Sequence, residues 1–424
     1  MKVLLVQAYL GGNELPVFPL GLATLAASIP QHEVQVFDSN TVTDPFTSLK
    51  ELVAGFNPHV VGISLRNIDS TNKSIIVFYY KWLKDIIATI KEGCSAKIIL
   101  GGSGFSMFAE QIMEEQQAVD FGVYLEGEQV FAQLLDNLEA PQKVPSVFYR
   151  QNKKIHFSGN SQAADLENTH IPRWDALPLA PYTKWRDAIG IETKRGCSLS
   201  CVYCIYGFLN GRQYRLKKPE KVVDEIESLV QGHGIRSFSF VDSIFNVPLS
   251  HARAVCREII ARKITVSWSA WFSEHFVEPN FITLVKQAGC NHLIFSPDGF
   301  SNGVLKKLGK KISTKHIITS LYHLRQHKDM EVSYNFFKNP PGQTLYNFIG
   351  MLLFCFSAKL LMKKRVHFEF SEMRIEPHTE LYRIALHEGV ITRDQDLLPP
   401  TYYSNHRTAL LNSIINIILK AWGK

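Results

Sequence analysis

The chain has 424 residues, of which 46% are hydrophobic and 20% are charged; this composition excludes disordered and fibrous proteins and predicts two or three globular domains. The net charge of +7 comes from 46 basic and 39 acidic residues that are interspersed along the chain, so a nucleic-acid partner is not indicated. Seven cysteines are too few for a secreted disulfide framework, and their local clustering indicates metal or redox chemistry in a reducing compartment.

The N-terminal segment MKVLLVQAYL predicts a first strand rather than a signal peptide. Gln7 breaks its short apolar run, and no small-residue cleavage site follows. The longest apolar run, residues 348–358, is shorter than the roughly 20 residues that a bilayer requires. We therefore expect a cytoplasmic protein without a membrane span.

Residues 1–140 alternate short apolar strands with helical patterns, about five times in all. Strands that are apolar throughout are typical of a parallel sheet covered on both faces, so we predict an α/β, doubly wound, Rossmann-like domain. Ligands of such sheets bind at the carboxyl ends of the strands. The loops that begin at Gln7, Ser64, Gly101 and Glu126 should therefore border one crevice.

The second half of the chain resumes this alternation after a linker. Residues 141–187 contain a hairpin-like segment and a stretch rich in Pro and Trp, which predict an ordered linker. Residues 188–390 contain six strand and helix units, which predict a partial (β/α)6 barrel of the TIM type, with its chemistry in the loops after the strands. Residues 391–424 predict a helical extension for core packing or a partner surface, with a polar stripe at Asn412, Asn416 and Lys420.

Three of the seven cysteines lie on one loop just after the first predicted barrel strand. Cys197, Cys201 and Cys204 form C-x3-C-x2-C, whereas a structural zinc site normally has four ligands and the next candidate here is only His233. Ferredoxin loops use another spacing and supply a thiolate to every iron of a cubane cluster. Three thiolates on a [4Fe-4S] cube would leave one iron open to another ligand. The spacing favours such a centre over zinc or simply buried thiols.

The cysteine motif, with Tyr203 before the third cysteine, resembles the signature of the radical S-adenosylmethionine (SAM) enzymes. SFSFVDSIFN resembles the acidic motif after their second barrel strand, and FSPDGFSNGVLKKLGKKIS resembles their fourth-strand segment. The latter has Ser296-Pro297-Asp298-Gly299 where a Glu-Ser pair usually follows Gly, and FFKNPPGQT has Asn339 and Gln343 where Gly and Glu are usual. The resemblance implies a [4Fe-4S] cluster on Cys197, Cys201 and Cys204, and SAM contacts from Tyr203, Asp242, Ser296 and Asp298.

The N-terminal half of the chain indicates which subclass of these enzymes the chain resembles. The resemblance covers about residues 1–390. Segments such as PVFPLGLATLAASI, IILGGSGF and VDFGVYLEGEQVFAQLL are similar to the subclass that carries a cobalamin-binding domain. The loop QAYLGGNELP lacks the Asp-x-His-x-x-Gly of histidine-ligated relatives, which implies cobalamin without a protein histidine, or a domain that has lost the cofactor. The implied cobalamin contacts are Ser64, Arg66, Gly101, Gly102 and Glu126.

The resemblance implies an enzyme that cleaves SAM reductively to a 5′-deoxyadenosyl radical, with an electron donor such as flavodoxin or ferredoxin. The leading reaction is cobalamin-dependent methyl transfer to an unactivated carbon, or to phosphorus, of a small-molecule or natural-product intermediate. Radical cyclisation, rearrangement or oxidation without net methylation is the first alternative. A non-catalytic protein that binds or senses cobalamin or an iron–sulfur centre is an alternative from another class.

The remaining cysteines limit the chain to one cluster. Methylthiotransferases need a second three-cysteine cluster in their N-terminal domain, but residues 1–196 contain only Cys94. Cys256, Cys290 and Cys355 each stand alone in an apolar context, which predicts buried small hydrophobic residues. Tyr206 and His378 are further candidates for substrate contact.

Overall fold

A computed structural model of the chain describes all residues except 13, 72–75, 405–407, 409, 412, 413 and 415–424. The chain divides into two compact units, the first ending at Ile189 and the second beginning at Gly190. Residues 141–187, the predicted linker, belong to the first unit. The predicted polar stripe of the C-terminal tail lies outside the described residues.

Strands and helices alternate in the described part of the first unit, as the sequence predicts. Four of its parallel strands are apolar and mostly buried, and each parallel strand is followed by at least one helix. The strands are β1 (Lys2–Gln7), β2 (Glu33–Asp38), β3 (Val60–Ser64), β4 (Lys97–Gly101), β5 (Phe121–Val123), β6 (Val147–Gln151) and β7 (Lys154–Phe157), and the helices are α1 (Leu20–Ser28), α2 (Pro45–Phe56), α3 (Leu83–Gly93), α4 (Ser103–Met107), α5 (Ala109–Glu115) and α6 (Glu128–Asp136).

The strand order of this sheet is β2-β1-β3-β4-β5-β6-β7. The first five strands are parallel, which confirms the doubly wound prediction, and the predicted hairpin adds β6 and β7 antiparallel at one edge. Gln7 pairs with Ser64, and Ser64 pairs with Gly101. The carboxyl ends of β1, β3 and β4 are therefore neighbours, so three of the four loops expected around one crevice begin side by side.

The second unit begins with short strands and continues with longer strand and helix units. Several helices begin at a proline or at a Ser or Thr cap, for example Pro219 and Thr344. The strands are β8 (Gly190–Ile191), β9 (Lys194–Arg195), β10 (Arg215–Leu216), β11 (Ser237–Phe240), β12 (Ser267–Phe272), β13 (Cys290–Asp298), β14 (Glu331–Phe337), β15 (Val366–Ser371), β16 (Met373–Arg374) and β17 (Tyr402–Tyr403), and the helices are α7 (Tyr206–Leu209), α8 (Pro219–His233), α9 (Leu249–Ala261), α10 (Pro279–Gln287), α11 (Asn302–Lys307), α12 (Thr314–Leu324), α13 (Leu345–Met362) and α14 (Glu380–His387).

Six of these strands form one parallel sheet in the order β15-β14-β13-β12-β11-β8. This confirms the prediction of a six-stranded partial barrel. Two small antiparallel pairs, β9 with β10 and β16 with β17, accompany it. The cysteine loop follows β8 and β9, at the carboxyl edge of the large sheet.

The two faces of the six-stranded sheet differ in side-chain size. On the outer face aromatic residues pack against helices: Phe272 contacts Phe281 of α10, and Tyr334 contacts Phe354 of α13. Because side chains alternate along a strand, the intervening residues point to the opposite, inner face. Apart from the buried Ile294, most of these inner-face residues are small, polar or partly exposed, and they include Ser239, Val241, Ser269, Trp271, Ser296, Ser333 and Asn335.

One helix is unusually apolar. The segment Leu345–Arg365, which includes α13, is long and apolar enough to cross a membrane by length and composition. About a third of an apolar 18-residue stretch within it is buried. This segment is longer than the apolar run of residues 348–358. Core helices pass the same test, and Phe354 of α13 packs on Tyr334, Phe336 and Phe368 of the sheet.

Candidate functional site

The cysteine loop turns sharply at its first cysteine. Gly196 has a φ of +89°, and a Cβ atom there would lie 2.0 Å from the carbonyl oxygen of Gln213, so this position requires glycine. The backbone N–H of Cys197 donates to the carbonyl of Gly211 at 3.1 Å. The Tyr214 hydroxyl donates to the sulfur of Cys197 at 3.9 Å. The strands and the turn that flank the loop therefore fix its first ligand.

Two backbone hydrogen bonds of Val202 hold the middle of the loop, one on each side. Its N–H donates to the carbonyl of Leu308 at 3.0 Å, and its carbonyl accepts from the N–H of Leu381 at 2.7 Å. Gly309 has a φ of +70°, and a Cβ atom there would lie 2.3 Å from the carbonyl oxygen of Ser200. The segment after α11 and the first turn of α14 thus clamp the loop between its ligands.

All three cysteines are free thiols, and none is fully exposed. Cys197 is buried, whereas Cys201 and Cys204 are half-buried. Burial raises the pKa of Cys201 and raises that of Cys204 to about 11. At Cys201 the charge of Lys310 opposes the pKa rise, and Asp298 reinforces the rise more weakly. The Cys201 and Cys204 thiols therefore stay protonated without metal, and iron must displace their protons on binding.

The spacing of the thiols fits a cluster better than a single ion. Within the described ranges, no three Cys, His, Asp or Glu side chains converge closely enough to hold one metal ion. Thiolates of a cubane cluster bind different irons and need no such convergence. His233, the next zinc candidate in the sequence, lies in the last turn of α8. A set of three thiols fits an iron–sulfur cluster with one open iron.

Tyr203, Asp298 and Ser296, three of the predicted SAM contacts, lie in one hydrogen-bonded group. The Tyr203 hydroxyl donates to the Asp298 carboxylate, and the Lys310 ammonium pairs with the same carboxylate. Lys310 also donates to the carbonyl of Ser296 at 2.6 Å. The Tyr203 ring meets the ring of Phe337 edge-on, with centroids 4.8 Å apart. A SAM contact by these residues stays a prediction.

Asp242, the fourth predicted SAM contact, has a full set of protein partners. Its carboxylate accepts from the Thr193 hydroxyl at 2.6 Å and N–H at 2.8 Å, and pairs with the Lys194 ammonium at 2.7 Å. The side chains of Asp242 and Lys194 are fully buried. In this arrangement Asp242 anchors the strand end that leads into the cysteine loop, and its predicted SAM contact remains untested.

His378 and Tyr206 are the two further candidates for substrate contact, and three cysteines of the second unit lie outside the cysteine loop. His378 has a φ of +63° and stacks on Phe208, with ring centroids 4.0 Å apart. Tyr206 is 40% exposed at the start of α7. The prediction of three buried single cysteines is confirmed, since Cys256, Cys290 and Cys355 are all buried.

Sequence reasoning missed Lys310, Glu274 and the inner face of the sheet. Lys310 is one of several lysines in KKLGKK, and only its pairing with Asp298 singles it out. Glu274 is 5% exposed, and one carboxylate oxygen has no hydrogen-bond partner in the described part of the chain. The alternation of serine with aromatic residues in β11 and at the start of β12 is the signal that could have indicated the inner face.

In the first unit, the predicted cobalamin contacts lie at or just after the carboxyl ends of strands. Ser64 ends β3 and Gly101 ends β4, and Arg66 is exposed. Gly102 has a φ of +102°, and a Cβ atom there would lie 2.6 Å from the carbonyl oxygen of Leu65. A residue other than glycine is therefore excluded there by both strain and space.

Glu126 and the first loop complete this edge. The Glu126 carboxylate accepts from the N–H of Ala164 at 2.9 Å. The chain between Gln7 and Pro16 contains no histidine. An edge of small and polar residues fits a large ligand that the backbone approaches closely, and this loop offers no imidazole for an axial bond.

Two family models match the chain. The radical SAM superfamily model matches residues 191–348, and the B12 binding domain model matches residues 8–135. The first match begins in β8 and contains the cysteine loop, Asp298 and Lys310. The second contains every predicted cobalamin contact.

Two curated relatives and one solved structure illustrate the similarity. An uncharacterised methyltransferase of Pyrococcus horikoshii is 25% identical over 72% of this chain, which spans 65% of that relative. The anaerobic magnesium-protoporphyrin IX monomethyl ester cyclase of Synechocystis is 22% identical, over 97% of this chain and 83% of that relative. The radical SAM methyltransferase TsrM from Kitasatospora setae, with cobalamin and a [4Fe-4S] cluster bound, is 21% identical and has a TM-score of 0.76, covering 90% of this chain and 73% of that one.

Proposed function

Because the chain belongs to the radical SAM superfamily and carries an N-terminal B12-binding domain, we propose that this cobalamin-dependent radical SAM enzyme transfers a methyl group from SAM to a small molecule. The acceptor would be an unactivated carbon, or phosphorus. The observation that carries the proposal is the combination of a three-thiol loop with a sheet edge suited to cobalamin in one chain. Similarity to several methyltransferases supports it.

Cys197, Cys201 and Cys204 would hold the [4Fe-4S] cluster, and SAM would bind at its open iron. When bound, the cluster supplies the electron that cleaves SAM, and cobalamin carries the methyl group. The residues of the chain hold the cysteine loop in position. Its clamp on Val202 holds the cysteine loop, and the Asp242–Lys194 pair anchors the chain before it.

The inner face of the six-stranded sheet would hold SAM and the substrate. Trp271 and Val241 are partly exposed on this face, whereas the small side chains of Ser239, Ser269 and Ser333 are buried. An indole and an aliphatic side chain can cover an apolar part of a substrate and exclude water from it. An external low-potential donor such as flavodoxin or ferredoxin would supply the electron.

Ring formation without net methylation is a second candidate. The observation that favours it is the similarity to the cyclase, which extends over 97% of this chain and therefore includes both units. Cyclisation would use the same cysteine loop and the same inner face. The two candidates differ in the fate of the methyl group of SAM.

A labelled methyl group separates the two candidates without knowledge of the substrate. The anaerobically reconstituted protein is loaded with cobalamin. It is then mixed with a reductant and with SAM that carries a deuterated methyl group. Methyl transfer predicts labelled methylcobalamin, detected by mass spectrometry, and unlabelled cobalamin throughout would contradict it. Gel filtration of the loaded protein provides a control, because cobalamin that is bound elutes with the protein and shows corrin absorption.

A further inference from the structure

A buried ion pair lies directly beside the cysteine loop. Asp298 ends β13 with a φ of +63°, in the left-handed region that residues other than glycine seldom adopt. The side chains of Lys310 and Asp298 are 12% and 6% exposed. Two charges in so little water interact more strongly with their neighbours than surface charges do.

The pair is connected to the loop by both side chain and backbone. The Asp298 carboxylate accepts from the hydroxyl of Tyr203, which stands between the second and third cysteines. The Lys310 ammonium lies 5.4 Å from the centroid of the Tyr203 ring. Lys310 follows the segment whose Leu308 carbonyl binds Val202 of the loop. The ion pair therefore cannot move independently of the loop.

We propose that the Lys310–Asp298 pair sets the reduction potential of the cluster held by Cys197, Cys201 and Cys204. Lys310 and Asp298 are positioning residues and ligate no iron. The inference rests on the cluster-binding part of the proposed function, and it assigns a role to two residues whose charges act in opposite directions.

Electrostatics gives the sign of each effect. Reduction adds one electron from an external low-potential reductant to the cluster and forms or breaks no bond. A buried ammonium close to the cluster stabilises the added negative charge, and a buried carboxylate destabilises it. Loss of the Lys310 charge should therefore make the potential more negative, and loss of the Asp298 charge should make it less negative.

The test measures the midpoint potential of the reconstituted cluster without SAM, by a mediated titration followed by electron paramagnetic resonance. Lys310→Met should shift the potential to more negative values and Asp298→Asn to less negative values. The double variant should lie between the two. Lys311→Met is the matched control, since Lys311 is the adjacent, exposed lysine, and it should leave the potential unchanged.

Opposite shifts distinguish an electrostatic role from a loosened loop. Unchanged potentials in both single variants, or shifts of both in the same direction, would overturn the proposal. If Lys310→Met assembles no cluster, Lys310→Arg keeps the charge and should assemble one; failure of that variant as well would show that packing alone matters and would also overturn the proposal. A wild-type protein without a cluster would instead defeat the proposed function.

Discussion

At the scale of single residues, Cys201 is the central ligand of the proposed cluster. It lies one residue before Val202, whose two backbone hydrogen bonds fix the loop. Cys94, in contrast, is half-buried at the end of α3 in the first unit. The two cysteines therefore provide a matched pair of substitutions.

We expect Cys201→Ala to lose the iron–sulfur absorption and most of the bound iron, because two thiolates remain for a cube that needs three. Cys94→Ala should keep the full iron and sulfide content of the wild type. Iron and sulfide analysis after anaerobic reconstitution measures both. A full cluster in Cys201→Ala would contradict the ligand assignment.

The buried carboxyl of Glu274 should make the free energy of unfolding depend on pH. Burial raises the pKa of its carboxyl from 4.5 to about 7, against the opposing effects of its own backbone N–H and of Lys310. The folded state then holds a proton that the unfolded state has released between these two pKa values, so the free energy of unfolding falls as the pH rises from about 4.5 to about 7. Above that range the loss amounts to about 3 kcal/mol at most.

Glu274→Gln should remove this loss, because the neutral amide cannot ionise. We expect the variant to gain stability relative to the wild type between pH 5 and pH 8, measured by urea unfolding at several pH values. Glu278→Gln changes an exposed carboxyl close by and should leave the pH profile unchanged. A Glu274→Gln profile parallel to that of the wild type would show that Glu274 is ionised at little cost.

Residue spacing identifies the three cysteines as candidate cluster ligands, but it could not predict which residues surround them. The C-x3-C-x2-C pattern is local, so it can be read directly from the chain. The partnership of Tyr203 with Asp298 joins residues 95 positions apart and exists only because β13 ends beside the loop. The protein partners of Asp242 were not foreseen for the same reason. They precede the cysteine loop and are distant from Asp242 in the sequence.

At the scale of elements, the contact between Gly309 and Ser200 joins the segment after α11 to the cysteine loop. Gly309→Ala adds a Cβ atom 2.3 Å from the carbonyl oxygen of Ser200 and strains a φ of +70°. We expect it to lower the cluster content, and to lower stability by about 1–3 kcal/mol. Iron analysis and thermal unfolding measure the two effects.

Gly303→Ala is the control for this clamp. Gly303 lies in α11, and its nearest neighbour for an added Cβ atom is the Ser301 hydroxyl at 4.0 Å. Because alanine favours the helix, this change should leave the cluster intact and raise stability by about 0.5–1 kcal/mol. Equal cluster content in both variants would show that the loop does not depend on the close approach at Gly309.

Most elements could be predicted from the hydrophobic pattern, because buried parallel strands are apolar runs separated by amphipathic helices. The pattern did not show that the hairpin of β6 and β7 joins the first sheet, since pairing across an edge leaves no local signal. It also did not reveal that the first barrel strand, β8, has only two residues. Both depend on pairing with residues far along the chain.

At the scale of the whole molecule, the proposed function requires two units that each bind a cofactor of their own. The family models match one unit each, at residues 8–135 and 191–348. Cleavage of SAM is the property that separates an enzyme from a protein that only binds or senses these cofactors. It requires the second unit's cysteine loop and no knowledge of the methyl acceptor.

The most direct measurement is release of 5′-deoxyadenosine from SAM by the anaerobically reconstituted wild-type protein and by Cys201→Ala, with a chemical reductant and cobalamin present. We expect 5′-deoxyadenosine and methionine in equal amounts from the wild type and neither from the variant. A wild-type protein that contains the full cluster but releases no 5′-deoxyadenosine with several reductants would contradict it.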